Sequence, residues 1–135
     1  MECLFCKIVA GTIPCYKIYE DENVLAFLDI APVNPGHTLV IPKKHHQNIE
    51  AIPQEELCRV IAAVKKIGLA LKSRLSVEGY NIQVNNDPIS GQIIPHLHFH
   101  IVPRKPGDNL TLWPQGKYGP NEAEKLAAQL LQDIK

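Results

Sequence analysis

Leu57, Val60, Ile61, Val64, Ile67 and Leu71 recur at three- and four-residue steps, with Glu55, Lys65, Lys66 and Lys72 on the other side. This period predicts one long amphipathic helix. Pro53 suits its first turn, where Glu55 and Glu56 meet the positive end of the helix dipole. A second stripe, Ala123, Leu126, Ala127, Leu130, Leu131 and Ile134, predicts a C-terminal helix over Glu122 to Lys135. Other segments read as strands. Tyr16–Glu20 and Val24–Leu28 flank the turn signal Asp21-Glu22-Asn23 and predict a hairpin. Thr38–Ile41 is apolar and β-branched, a buried strand ending at Pro42. Tyr80–Val84 alternates after Gly79, and Leu97–Val102 is the fifth strand. Cys3–Ala10 predicts a short helical turn stopped by Gly11. The segments 29–37 and 85–95 carry the Gly, Pro and Asn of loops. The order β-β-β-α-β-β-α predicts an α+β fold, an antiparallel five-stranded sheet with the long helix on one face.

A length of 135 residues with no internal repeat fits one domain spanning 1–135. Fourteen basic and fourteen acidic residues cancel, which argues against broad capture of nucleic acid or an anionic membrane. A small phosphorylated ligand held by a few local groups remains compatible. No apolar run reaches the ~18–20 residues of a membrane span. The N-terminus lacks the basic and apolar regions of a signal peptide, so the expected compartment is the cytoplasm. Cys3, Cys6, Cys15 and Cys58 then read as thiols or metal ligands rather than disulfides. Cys58, beside the apolar helix stripe, reads as a small buried residue.

The densest chemistry lies in Pro95-His96-Leu97-His98-Phe99-His100-Ile101-Val102-Pro103. Strand side chains alternate, so Leu97, Phe99 and Ile101 turn to the core and three imidazoles turn the other way together. The chain has only six histidines, and half of them fall in the five residues from His96 to His100. A chance surface run or a metal site are the competing readings. A nucleophilic or acid–base cluster is favoured, because buried imidazoles need partners and exposed ones titrate near neutrality.

The run His96-Leu97-His98-Phe99-His100-Ile101-Val102 resembles the His-x-His-x-His-x-x signature of the histidine-triad (HIT) family. Gly36-His37-Thr38-Leu39-Val40-Ile41-Pro42-Lys43-Lys44-His45 resembles an earlier segment of that family, and Cys3 to Pro14 resembles its N-terminus. The resemblance runs in order from about Cys3 to Pro114. It implies a HIT-type nucleotide hydrolase in which His98 attacks an α-phosphate and forms a covalent nucleotidyl-histidine that water resolves. His100 and His37 would donate to developing charge or protonate the leaving group. Asn85, Gly91 and Gln92 match positions near the phosphate or leaving group. Asp29 matches the acceptor of the ribose hydroxyls, and Leu4, Phe5, Ile8 and Phe27 would line a purine pocket.

The resemblance extends to a metal. Cys3-Leu4-Phe5-Cys6 alone is a weak signal, readable as a redox pair or as unrelated cysteines. Zinc-carrying relatives add the histidine after Pro-Lys-x and the first triad histidine, here His45 and His96, giving a closed structural Cys2His2 zinc site. His46 is the alternative to His45. The family also implies a homodimer with a continuous ten-stranded sheet. Two branches stay open. Leu112-Trp113-Pro114 resembles the phosphoramidase tail, whereas Val102 to Asp108 looks like the dinucleoside polyphosphate hydrolases. The alternative from another class is a zinc-stabilised purine-nucleotide-binding module with little turnover.

Overall fold

The computed structural model describes residues 2–134. Met1 and Lys135, at the ends of the expected terminal segments, lie outside the described residues. The elements run α1 (Leu4–Val9), β1 (Lys17–Glu20), β2 (Val24–Leu28), β3 (Thr38–Pro42), α2 (Gln54–Leu75), β4 (Gly79–Val84), a 3-10 turn (Pro88–Ser90), β5 (Phe99–Arg104) and α3 (Glu122–Asp133). Five strands form one antiparallel sheet in the order β1-β2-β3-β5-β4.

Local chemistry sets several boundaries. Asp21 Oδ1 accepts the N–H groups of Asn23 and Val24 and closes the β1–β2 hairpin. Pro53 caps the start of α2, and Ser76 ends it in the left-handed conformation. Gly36 has φ +94°, and a Cβ there would sit 3.2–3.3 Å from Pro103, Leu71 and Leu75. Both conformation and space therefore demand glycine before β3.

The sheet is covered on both faces. Val60, Val64, Ile67 and Leu71 of α2 pack on Val24, Val40, Phe99 and Ile101. Ile61, expected in that stripe, is half exposed on the outer side. On the other face Phe5 of α1 packs on Leu25, Phe27, Leu39 and Ile41. The helical period places the long helix on one face and leaves the packing of this second layer unstated, because a six-residue helix carries too little period to announce it. Cys58, expected inside, is exposed, and all four cysteines are free thiols. The helix α3 exists as expected, yet none of its residues is buried.

The fifth strand begins at Phe99, two residues later than expected. His96 and His98 precede it, and Leu97 N–H instead reaches the His46 carbonyl at 2.7 Å. The alternation survives outside the ladder. Leu97, Phe99 and Ile101 all enter the α2 core, with Leu97 and Ile101 fully buried. These residues form the floor beneath the histidines. Ile101→Ala is expected to cost about 2–5 kcal/mol by opening a cavity there, read as a lower urea midpoint at unchanged m-value.

Candidate functional site

Four histidines around this face take their protonation patterns from fixed partners. His98 Nδ1 lies 2.8 Å from the His96 carbonyl oxygen, an acceptor only. Nδ1 therefore carries the proton and Nε2 keeps a lone pair. His96 Nε2 lies 2.9 Å from the Pro42 carbonyl, so its Nδ1 keeps the lone pair. Val33 N–H donates to His37 Nδ1 at 3.1 Å, which leaves the His37 proton on Nε2. That Nε2–H points at His100 Nδ1, 3.0 Å away, so His100 carries its own proton on Nε2. The result is one free nucleophilic nitrogen, on His98, beside one free N–H donor, on His100.

Burial keeps these rings neutral. Desolvation is the largest influence on each, lowering His37 and His98 and taking His100 to about 4. The neighbouring His98 and His37 lower His100 further, while Asp29 opposes. A neutral imidazole is the form that can attack phosphorus.

The β3–β5 pairing brings the contributors together. Leu39 stands opposite His100, and His37 immediately precedes β3. His98 and His100 open into a cleft of about 350 Å³. Its apolar side includes Leu4, Phe5, Ile8 and Phe27 from α1 and β2, with Phe5 edge-on to His98 at 5.0 Å between centroids. Asp29, Asn85 and Gly91 line it as well. Gly91 has φ +105°, with Asn85 packed against its Cα side. His37 and Gln92, both buried, lie outside the cleft lining, unlike the other expected residues; Gln92 serves the loop. Its side chain is buried outside the cleft lining, accepting from Asp87 N–H and donating to the Gln47 and Ile94 carbonyls. It holds the loop rather than facing the cleft.

Cys3, Cys6, His45 and His96 converge behind the triad, their ligand atoms all within 4.8 Å of one another. Cys3 Sγ and Cys6 Sγ lie 3.4 and 3.6 Å from His96 Nδ1, and Cys6 Sγ lies 3.4 Å from His45 Nδ1. A tetrahedral zinc with ordinary bond lengths separates sulfur and nitrogen ligands by about 3.5 Å. The His96 lone pair faces the thiols, and its other nitrogen donates to a backbone carbonyl, as a metal-bound imidazole requires. Burial and the adjacent Cys3 push the Cys6 thiol up, a penalty that a cation would reverse. These residues fit a closed four-ligand metal site. His46 is engaged elsewhere, 2.7 Å from Glu56.

Comparison with known proteins agrees with this arrangement. The HIT domain family matches residues 10–107. The chain belongs to the HIT family. It is 41% identical over 138 residues to adenosine 5'-monophosphoramidase hnt1 of Schizosaccharomyces pombe, covering 100% of both chains. A crystal structure of a HIT family protein from Bacillus subtilis superposes with a TM-score of 0.92 at 38% identity, covering 100% of this chain and 99% of that one. A zinc-bound histidine-triad protein from Mycobacterium smegmatis superposes at 0.78 and 38%, covering 99% of each.

Within this HIT domain a second set of metal-ligand types, Asp29, His37 and His100, also converges. It does not fit a metal. Val33 N–H occupies His37 Nδ1, so Nε2 is protonated and its contact with His100 is a hydrogen bond. The trio therefore lacks three inward lone pairs.

The structure adds residues that the motifs did not reveal. Asn34, read only as a turn marker, is buried and donates to the Pro103 carbonyl at 2.8 Å and to Asp108 at 3.2 Å. Asp108 is in turn gripped by Arg104, which holds its carboxyl well below the usual range. This clamp fixes the loop whose Val33 N–H orients His37. Cys15 and Leu39 line the cleft, and Ile30 and Ile93 form its exposed lip. Such roles leave no local signal in the sequence.

The depressed histidines have a consequence for stability. The unfolded chain protonates His100 near its ordinary 6.5, the folded chain only near about 4. Stability from this group is full above 6.5 and is lost as pH falls towards 4. The denaturation midpoint is expected to fall across that window, and less steeply in His100→Asn. An NMR titration in which His100 protonates at 6.5 would contradict this.

Proposed function

We propose that this chain hydrolyses nucleoside phosphoramidates at the α-phosphate through a nucleotidyl-histidine on His98. The single observation that carries the reading is the His98 Nδ1–H bond to the His96 carbonyl, which leaves Nε2 free at the cleft. Nε2 attacks phosphorus, and the bond to the leaving nitrogen breaks as that nitrogen takes up a proton, so that it departs as the amine. Water then displaces His98, gives back one proton, and releases the 5'-monophosphate. Binding would place the base among Leu4, Phe5, Ile8 and Phe27 and the ribose hydroxyls at Asp29, while Asn85 and the Gly91 backbone approach the phosphate. Among the imidazole protons only His100 Nε2–H is free to meet a phosphate oxygen or the leaving atom. His37 has spent its proton on His100. His37 thus positions His100, and Gln92 acts through the loop.

Charge separates the two branches. Among the described residues, the cleft lining contains the Asp29 carboxylate and no Lys or Arg. Neutral donors suffice for a phosphoramidate carrying one negative charge. A dinucleoside polyphosphate brings several charges that would find no cation on leaving water. The S. pombe relative, a named adenosine 5'-monophosphoramidase, supports the same choice. Adenosine 5'-phosphoramidate is expected to turn over with far higher kcat/KM than diadenosine polyphosphates. His98→Ala should lose roughly 10⁴-fold or more in kcat while still binding AMP in equilibrium dialysis. An unchanged rate in that variant, or no nucleotidyl-histidine trapped by acid-free quenching, would leave the zinc-stabilised binding module as the better account.

We also propose that Cys3, Cys6, His45 and His96 hold zinc. With four protein ligands and no open position, the ion would pin α1 to the histidine segment and do no chemistry. One zinc per chain is expected by elemental analysis. Its removal, or Cys3→Ser with Cys6→Ser, should lower Tm by roughly 10 °C or more. An equal Tm with and without metal would refute a structural role.

The assembly we propose is a homodimer joined at β4. That strand is an edge of the sheet, and its Ile82 is half exposed. A strand edge with an exposed apolar residue pairs readily with a copy of itself.

A further inference from the structure

The strand β4 turns a row of amides toward the histidines. Tyr80 and Val84 pack on the α2 core, so the residues between them, Asn81 and Gln83, face the other way. The register agrees, with Gln83 opposite His100 and Asn81 opposite Val102. Asn85 comes next in this row and lines the cleft.

A side-chain amide has two ends of similar shape and opposite use. Its oxygen accepts hydrogen bonds, and its NH2 group donates them. An ionised phosphate oxygen only accepts. An asparagine beside it therefore attracts or repels according to the end it presents. Among the described residues the cleft lining has no Lys or Arg to offset a wrong choice.

Two contacts make that choice for Asn85. Gln83 Nε2 donates to Asn85 Oδ1 at 3.1 Å. Asn85 Nδ2 then lies toward Gly91, 3.3 Å from where a Cβ on that glycine would stand. Gly91 lines the same cleft. Other side chains of the loop are spent on the fold. Asn86 Oδ1 accepts from Ile49 N–H, and Asp87 Oδ1 accepts from Asn48 Nδ2. Among the described residues no acceptor takes up Asn85 Nδ2, so this NH2 group is left for a ligand. Gln83 itself is exposed, and substitutions at such a position change stability little.

We propose that Gln83 is a positioning residue: by donating to Asn85 Oδ1 it holds the Asn85 NH2 group toward the phosphate of a bound nucleotide. Gln83 touches no reacting atom and acts only through its neighbour. This rests on the cleft as the nucleotide site.

The test exploits what each replacement can donate. Gln83→Glu keeps the shape but can only accept, so it turns the Asn85 amide round and presents Oδ1 to the phosphate. Its kcat/KM for adenosine 5'-phosphoramidate and its affinity for AMP should each fall about tenfold or more. Gln83→Met leaves the amide free to take either orientation and should cost only about twofold. Both should melt with the unmodified protein. In an Asn85→Ala background the Gln83→Glu loss should all but vanish, since no amide remains to turn. A full loss in that background would show that the added charge acts directly, and overturns the proposal. So does a Gln83→Glu protein with unmodified rate and AMP affinity.

The second readout needs no variant to interpret. In the unmodified protein with AMP bound, a scalar coupling from Asn85 Nδ2 to phosphorus across the hydrogen bond is expected by NMR. It should be absent in Gln83→Glu. AMP bound without that coupling in the unmodified protein overturns the positioning and leaves the nucleotide site standing. No AMP binding removes both. The coupling in a protein without turnover upholds the positioning and removes the hydrolase reading.

Discussion

Two backbone carbonyls, of Pro42 and His96, each accept one imidazole N–H, and these bonds decide which ring nitrogens keep a lone pair. Neither carbonyl is free to switch roles, because an oxygen can only accept. Pro42 ends β3, held by the register against Val24 of β2. His96 is held by the burial of Leu97 beside it. The protonation pattern of the site is thus a consequence of strand pairing and core packing. No acidic residue is needed to select the nucleophilic tautomer. On the other side, Val33 N–H does for His37 what the carbonyls do for His98, with the opposite sign.

Packing neutral imidazoles under Phe5 and over the α2 core carries a desolvation cost, visible in the lowered proton affinities. The same burial selects the chemistry. Cations would stabilise developing phosphate charge more strongly, yet beside them a histidine would lose still more of its proton affinity. A cleft with one carboxylate and neutral donors instead depends on geometry and water exclusion. Such a cleft suits a lightly charged ligand, with Ile30 and Ile93 standing exposed at its lip.

Much of this was legible because two periodicities are strong in the sequence. The helical recurrence from Leu57 to Leu71 located α2, and the alternation through His96 to His100 separated core from chemistry. That alternation held although the ladder begins only at Phe99. The resemblance brought Cys3, Cys6, His45 and His96 together, and they do converge. What stayed hidden depends on contacts distant in sequence. Gln92 has the right type and place in the loop, but three hydrogen bonds to backbone consume its amide. Asn34 reads as a turn residue until Pro103 and Asp108 arrive from far along the chain. Cys58 and Ile61 follow the apolar stripe by spacing, yet the helix shows them outward. The tautomers were beyond sequence altogether, since each is set by a main-chain atom that no residue type specifies.

His96 joins the two halves of the site through different atoms. Its ring faces Cys3 and Cys6, while its carbonyl oxygen orients His98. An ion on the ring would touch no reacting atom. It would still restrict the rotation of the residue that carries the orienting carbonyl, and so narrow the range of His98 Nε2 directions. The four-ligand cluster and His98 need not share chemistry to be coupled, because they share one residue's backbone. The hydrogen bond at 2.8 Å shows the His98 geometry already formed by the fold, so an ion would reinforce this arrangement without being its origin.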